Sequence, residues 1–482
     1  MAVGGSSGDE PTTADARIAA LEAIITDQKA RILELDARIL VLVGQVEVLT
    51  EKLGQNSKNS HRPPSSDGPG AGSGSRKPKS TNKRGGRPGH RGTYRQLVPS
   101  ASVNSVVDLF PPVCLGCAAD LPKVRDPRAL RYQQLDLLDH RPHVTEYQRH
   151  AVKCARCGAR TRATYDASKI PSSAFGPRLT ATVGMLTGVY HLSRRKAQLL
   201  LGELFGISIS LGALSTMERR ASEALLPACD EALGAVRQAA VKHADGTGWL
   251  YMGLLVSLWT IASKTATVFG IFPDSCRDTI RPLFGSCHGT AVSDRTPVLD
   301  FWRMDLRQIC WAHLLRKFVG FSERDGPART FGRELLQFAE LVFKNWHNFK
   351  KGELTREELK IQFQPVRLRF ENTLQSAVSA KIPRLSGSCE DMLKYREALW
   401  NFVDREGVEP TNNHAERELR GFVLWRKGCF GSQSERGLRF AERVMTVAHT
   451  ARKQGKSILD FITQSLIAQL GGLQPPKLID PA

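Results

Sequence analysis

From Ile18 to Leu53 apolar side chains recur in steps of three and four: Ile18, Leu21, Ile25, then Ile32, Leu35, Ile39, Leu42, Val46, Leu49 and Leu53. This is a heptad seam, with branched residues at one core position, Leu at the other, and Gln28 as a single polar break. Such a seam favours a parallel two-stranded coil whose polar residue fixes register, so residues 14–54 are expected to pair protomers as a coiled coil. An amphipathic helix packed on its own chain is the competing reading of the same period.

The pattern then stops. Residues 55–100 are rich in Ser, Gly, Pro and Lys/Arg, nearly free of large apolar side chains, and carry no acid from Arg76 to Arg95. Such a stretch cannot bury a core and is expected to be a flexible basic linker able to follow a phosphate backbone. Residues 101–165 hold two C-x-x-C pairs, Cys114/Cys117 and Cys154/Cys157, with strand-like runs YQQLDLLD and HVTEYQRHAVKC between them. Four thiolates in two such knuckles suit a structural Zn²⁺, so a small zinc-binding β module is expected. Over 170–232 the period turns helical. SRRKAQLLLGELFG ends on Gly206, ISIS makes a turn, and LGALSTMERRASEAL begins a second helix, which is a helix-turn-helix outline.

Near residue 240 the period switches to that of strands. VKHADGTGWL, LLVSLWTIAS and KTATVFGIF are consecutive β-type runs, followed by helix-like DSCRDTIRPLFG, then GTAVSD, then DLRQIC leading into the helix WAHLLRKFVGF. That order is expected for a ribonuclease H-like α/β core over 238–465, with an all-α insertion at about 325–405 and a C-terminal tail at 466–482. Asp245 and Asp294 are each expected where a small-residue strand meets its exit. Neighbouring carboxylates repel unless cations separate them, and two Mg²⁺ ions bridged by carboxylates can clamp both oxygens of a phosphodiester displacement. Asp274, Asp300 and Asp305 are alternatives for the second carboxylate. A third is wanted from a helix, and Glu416 in TNNHAERELR is a candidate, although Asn413 and Glu416 also have the spacing of a capping box.

Composition narrows the partner. The chain has 482 residues and a formal net charge of +20, which points to a polyanion. No run approaches the ~18 apolar residues of a membrane span, and MAVGGSSGDE lacks a basic-then-apolar leader, so a cytoplasmic, nucleoid-associated protein with no membrane role is expected. Ten cysteines without a secreted scaffold's density agree with that compartment and with zinc. Cys310 and His313 invite a second metal reading. A core thiol at a strand-to-helix junction, with His313, Arg316 and Lys317 on the emerging helix facing phosphates, is preferred. Asn412, Asn413, Arg417, Arg420, Arg426 and Lys427 flank Glu416 and suit a DNA backbone, whereas Trp249 and Trp425 read as core aromatics.

The chain resembles the transposases of the insertion sequence 66 family along nearly its whole length. LGQNSKNSHRPPSSD after a heptad helix, the paired knuckles, DGTGW at 245–249, SDR at 293–295, QICWAHLLRKF at 308–318, and NNHAERELR with WRKGCFGS carry the resemblance. It implies a DDE-type recombinase whose acidic trio falls on Asp245, Asp294 and Glu416. It further implies two Mg²⁺ per site with Mn²⁺ able to substitute, terminal inverted repeats and target DNA as partners, a homodimer or larger oligomer, and helper proteins of the element. The family often has an acid where this chain has Gly246, and Gly where it has Arg295. A non-catalytic DNA-binding regulator and a structure-specific nuclease are the rival expectations.

Overall fold

The computed structural model describes residues 13–60, 96–137, 141–164 and 173–480, so most of the basic linker lies outside the described residues. The chain divides into two compact units, one of residues 73–176 and 192–216, the other of the remainder. Helix α1 (Thr13–Gly54) belongs to the larger unit and is unbroken. Every seam residue on it is exposed, from Ile18 at 54% to Leu53 at 87%. The turn after α1 is a clasp: Asn59 Nδ2 donates to Gly54 O (3.0 Å) and to Glu323 Oε2 (2.7 Å), and Asn59 Oδ1 accepts from Asn56 N (2.8 Å). Gly320 permits that approach, since a Cβ there would stand 2.6 Å from Asn59 O. The start of the expected flexible linker is therefore structured.

In the smaller unit the two knuckles adopt one turn. Cys114 N donates to Ala119 O and Cys154 N to Ala159 O, both at 2.8 Å, while Ala118 N and Gly158 N return to Cys114 O and Cys154 O at 2.9 Å. Amides of Gly116 and Cys117 draw the Cys114 thiol below its usual value, and those of Cys157 and Arg156 do so for Cys154. Strands β1 (Ala151–Lys153) and β2 (Arg160–Arg162) pair antiparallel beside the second knuckle. The expected strand YQQLDLLD does not form in its described part, because its backbone groups find no ladder partner.

Helix α2 (Pro177–Gly184) runs into a π-helical turn at Met185–Val189 in the larger unit. Helix α3 (Arg194–Phe205) begins on Ser193, which accepts from Lys196 N, and ends on left-handed Gly206 (φ 65°). The ISIS turn leads to α4 (Leu211–Ala224), Gln198 Nε2 fastening it by donation to Ile209 O (2.6 Å). Helix α5 (Leu226–Gln238) then leads to the sheet.

Five strands form that sheet: β3 (Val241–Tyr251), β4 (Leu254–Ala262), β5 (Thr267–Phe272), β6 (Thr290–Ser293) and β7 (Arg307–Ile309), in the order β5-β4-β3-β6-β7. The first three are antiparallel neighbours and β3-β6-β7 are parallel. Met252 (φ 51°) and Gly253 (φ 82°) make the tight β3–β4 hairpin turn, whose twist matches its strands. Helix α6 (Arg277–Phe284) crosses from β5 to β6. After β7 come α7 (Trp311–Ser322) and the all-α insertion of α8 (Pro327–Lys350), α9 (Arg356–Ser379), α10 (Ser386–Lys394) and α11 (Asn401–Asp404). Its core gathers Leu335, Phe363, Phe370, Trp400 and Phe402 around Phe318 of α7. Gln308 of β7, fully buried, donates to Leu399 O (3.0 Å) and accepts from Phe402 N (2.8 Å), fastening insertion to sheet.

Three helices close the fold: α12 (Asn413–Gly428), α13 (Glu435–Lys453) and α14 (Ile458–Gly471). β5 is an edge strand with alternate amides unpaired, a liability that native sheets cover. Here α13 covers it with side chains at helical spacing. Thr267 N donates to Thr450 Oγ1 (3.1 Å), Phe269 N to Thr446 Oγ1 (3.1 Å) and Ile271 N to Glu442 Oε1 (2.6 Å). The C-terminal segment is packed, contrary to the expected tail: Leu478 is fully buried and its N–H donates to Glu231 Oε2 (2.9 Å). No described helix is long and apolar enough to cross a membrane.

Thr450→Val keeps volume but leaves Thr267 N–H buried without an acceptor. A loss of about 1–3 kcal/mol is expected in urea denaturation of the full chain, and an unchanged midpoint would show that the edge needs no such cover.

Candidate carboxylate site

The β3–β6 register runs Val241↔Thr290, Lys242↔Ala291, His243↔Val292, and two further steps set Asp245 beside Asp294 as β6 ends. Asp245 Oδ1 accepts from Gly246 N (2.9 Å), and Asp294 Oδ1 from Thr296 N (3.1 Å). The loop carrying Asp294 is braced from beneath by Arg307, which is fully buried. Its guanidinium donates to Thr296 O (2.7 Å), Asp294 O (3.1 Å), Ser293 Oγ (3.2 Å) and Asp300 Oδ1 (2.8 Å), enough partners to make a buried cation tolerable. Asp300 is thereby occupied, and it also accepts from Tyr395 OH (2.9 Å). Asp305 pairs with Arg303 (2.8 Å) and Asp274 accepts from Cys276 N (2.8 Å), so the alternatives for a second carboxylate have other employment.

Glu416 arrives on the first turn of α12. The capping box is not formed: Asn412 precedes the helix and no side chain caps it. Asn412 is fully buried and clasps its surroundings instead. Its Nδ2 donates to Ala244 O (2.8 Å), its Oδ1 meets His243 Nδ1 (3.3 Å), and its backbone N–H donates to Cys310 Sγ (3.2 Å). Trp311 N donates to Pro410 O (2.8 Å) nearby. The start of α12 is thus bound to β3 and to the β7–α7 junction, which directs Glu416 toward Asp245.

Burial, together with the charges of Asp294 and Glu416, pushes the Asp245 carboxyl up to about 8. Asp294 is also raised, by burial, against the opposing Thr296 N–H and the Arg307 and Arg295 guanidinia. The three carboxylates do not converge on one point: oxygens taken one from each are not all within 4.8 Å of one another. A cavity of about 490 Å³ opens beside Asp245 and Asp294, lined also by Thr296, Trp259, Ser257 and Asp274, and Glu416 is not part of its lining. One Glu416 oxygen, Oε1, is buried without a hydrogen bond, its charged neighbours being Arg316 Nη2 at 3.5 Å and His313 Nδ1 at 3.7 Å. Oxygen donors, one lacking a partner and one forced to hold its proton, are a set that hard divalent cations fit.

The model of the IS66 transposase family matches residues 172–440. The chain belongs to that family. The model of a family of unknown function (DUF6444) matches residues 8–96. An uncharacterized protein of Sinorhizobium fredii, y4qI, is 28% identical over 160 residues, which are 33% of this chain and 30% of that relative's length. On this IS66-family chain Gly246 has a physical reason. It pairs across the ladder with Trp259, and a Cβ at 246 would lie 2.8 Å from the indole, so an acidic side chain has no room. Arg295 is held below the usual guanidinium range by burial, with Asp391, Tyr395 and Asp294 opposing.

The remaining expected site residues separate into groups. Asn413, Arg417, Arg420 and Lys427 are exposed along α12, while Arg426 turns inward to Gly248 O and to Thr247 Oγ1 (3.3 Å). Asn412 is sealed inside the protein. Arg316 and His313 adjoin Glu416, and Lys317 lies over the Phe321 ring at 5.5 Å. Trp249 is buried, donating to Ser432 Oγ (3.2 Å), with Phe422 and Trp425 edge-on at 5.4 and 5.7 Å. The knuckle sulfurs form no group of three within 4.8 Å; among the described residues the group that does is Cys310, His313 and Glu416. Arg307 and Trp259 shape the site without standing among its expected residues, though an arginine inside a short apolar strand is itself a signal of a buried brace.

The folded protein keeps the Asp245 proton up to about pH 8, whereas the unfolded chain releases it near 3.8. Between those values the folded state binds more protons, so stability falls as pH rises through that window. In metal-free buffer Asp245→Asn should exceed the parent in stability at pH 8, by on the order of a few kcal/mol, and approach it at pH 4; equal denaturation midpoints at both pH values would refute this. Gly246→Ala should cost about 1–3 kcal/mol by overpacking, and measurably less in a Trp259→Leu background. The double-mutant cycle is read by thermal unfolding, and strict additivity would deny the contact.

Proposed function

We propose that this chain is a DNA transposase that binds the terminal inverted repeats of an insertion sequence and cuts and joins DNA at Asp245, Asp294 and Glu416. The observation carrying this reading is that Asp245 of β3 and Asp294 at the end of β6 stand side by side on one cavity, with Glu416 of α12 close enough for its charge to act on Asp245. The sheet order β5-β4-β3-β6-β7, antiparallel then parallel, supports a ribonuclease H-like core. The three carboxylates would hold two Mg²⁺, or Mn²⁺ in their place. Bound there, the ions supply Lewis-acid stabilisation of the entering and departing oxygens of a phosphodiester.

The chain's own residues do the rest. Arg307 holds the Asp294 loop and Asn412 holds the start of the Glu416 helix, so the backbone that carries both acids is fixed. Arg316 and the exposed Arg417, Arg420 and Lys427 supply charge for the DNA backbone, Asn413 adds a polar donor, and His313 and Lys317 lie on the neighbouring helix. Water attacks the phosphorus at the element end and breaks its P–O3′ bond, leaving a 3′-OH on the element and a 5′-phosphate on the flank; that hydroxyl then attacks a target phosphorus, loses its proton to solvent and displaces the target's 3′-oxygen, which leaves as a 3′-OH. No protein nucleophile is used. The exposed α1 seam suits pairing of two copies, the α3–α4 pair suits duplex contact, and the four knuckle cysteines suit a structural Zn²⁺ by donor type. Helper proteins of the element complete the proposed assembly.

Purified full-length protein on a duplex carrying the element's end, with Mg²⁺ or Mn²⁺, should cut and join. Asp245→Ala, Asp294→Ala and Glu416→Ala should each lower cutting at least about 10²-fold with DNA binding retained. Wild-type cutting by all three variants would overturn the site. Binding without cutting by the parent would make it a regulator, and cutting without joining a nuclease.

A further inference from the structure

We propose that Cys310, His313 and Glu416 form a three-ligand site for a soft divalent cation such as Zn²⁺, which withdraws Glu416 from Asp245 and Asp294. A sulfur, a ring nitrogen and a carboxylate oxygen, from the start of α7 and the first turn of α12, lie within 4.8 Å of one another. Such a mixed set suits Zn²⁺, with a fourth position left for water, whereas an all-carboxylate set suits Mg²⁺.

Three features distinguish this cluster from a core thiol. The Cys310 sulfur stands at the start of α7 and accepts from Asn412 N (3.2 Å), so it is held by a backbone donor from the α12 side of the cluster. His313 lies three residues on, which puts it on the same helix face. Glu416 Oε1 is buried without a hydrogen bond, 3.7 Å from His313 Nδ1 and 3.5 Å from Arg316 Nη2, so a bound ion would take the place of the guanidinium as its counter-charge. On binding, the Cys310 S–H bond breaks and its proton leaves to solvent as the S–metal bond forms; Glu416 gives a carboxylate oxygen and His313 a neutral nitrogen.

Glu416 cannot serve both sites at once, so a soft ion at Cys310 competes with the carboxylate site. The metal binding stands on the Cys310 cluster alone, and the inhibition rests on the transposase reading. The test is Cd²⁺ titration of the full chain, following thiolate-to-metal absorption and counting bound Cd²⁺ after gel filtration. Parent, Cys310→Ser and His313→Asn all keep the four knuckle cysteines. Each variant should bind one Cd²⁺ fewer per chain, and Zn²⁺ should need at least about tenfold higher concentration to halve Mg²⁺-dependent cutting. Equal Cd²⁺ counts in all three proteins would overturn the site. Should Cys310→Ser lose its circular dichroism spectrum, His313→Asn decides. A parent that never cuts DNA would refute the transposase reading, and the Cd²⁺ count would still decide whether the cluster binds a soft ion.

Discussion

One fully buried asparagine governs where α12 begins. Asn412 ties that point to Ala244 O on β3 and to Cys310 Sγ at the β7–α7 junction. Each broken bond would strand a buried polar group at about 1–3 kcal/mol, so the helix has little freedom to start elsewhere. The same commitment explains the missing cap. An Asn before a helix normally accepts from its first amides, but this one has already spent its side chain on β3 and His243. A local rule of helix starts therefore yields to a tertiary one, and Glu416 is left to face Asp245.

Two glutamates on α12 illustrate how differently the fold treats acids. Burial pushes Glu418 up, yet the His449 hydrogen bond and the Lys453 ammonium at 3.1 Å outweigh it and hold the carboxyl down to about 2. Its counter-charges are built in. Asp245 has only Arg316 and the Gly246 N–H on its side, and burial with two acidic neighbours outweighs them and drives it the opposite way, to about 8. Arg307 turns its donors to Asp294 O, Thr296 O, Ser293 and Asp300, bracing the loop that follows β6. An acidic centre held in shape while its charges repel is the arrangement on which the proposed cation site rests.

The legible part of the fold was its periodic part. Alternation over VKHADGTGWL and LLVSLWTIAS foretold β3 and β4, and the small-residue run GTAVSD placed Asp294 at the exit of β6. The α3–turn–α4 pair and the helical insertion followed from apolar spacing in the same way. What escaped depends on contacts between distant segments. Glu442, Thr446 and Thr450 read as ordinary polar positions on α13, and only the neighbouring edge strand gives their spacing a purpose. Asn412 and Asn413 are identical side chains one residue apart, yet one is sealed inside and the other exposed. YQQLDLLD has strand composition, yet its described residues 132–137 form no strand, because composition cannot provide a partner for the backbone.

The long stretch between Asp294 and Glu416 poses an apparent problem of precision, since a large insertion separates two acids of the proposed site. The structure removes it by closing the insertion at its base. Trp311 N reaches Pro410 O, Gln308 holds Leu399 and Phe402, and Asn401 Nδ2 donates to Arg307 O at 2.6 Å. The chain leaves β7 and returns to it. Loop closure grows only with the logarithm of length, about 0.6 kcal/mol per doubling, so once the ends are pinned the intervening helices can vary at small cost to Glu416. The insertion's own core, built on Phe370 and Trp400, keeps it folded without burdening the sheet. Geometry at the carboxylates is then set by a handful of bonds around β7 and Asn412, and the length of chain between the acids ceases to matter.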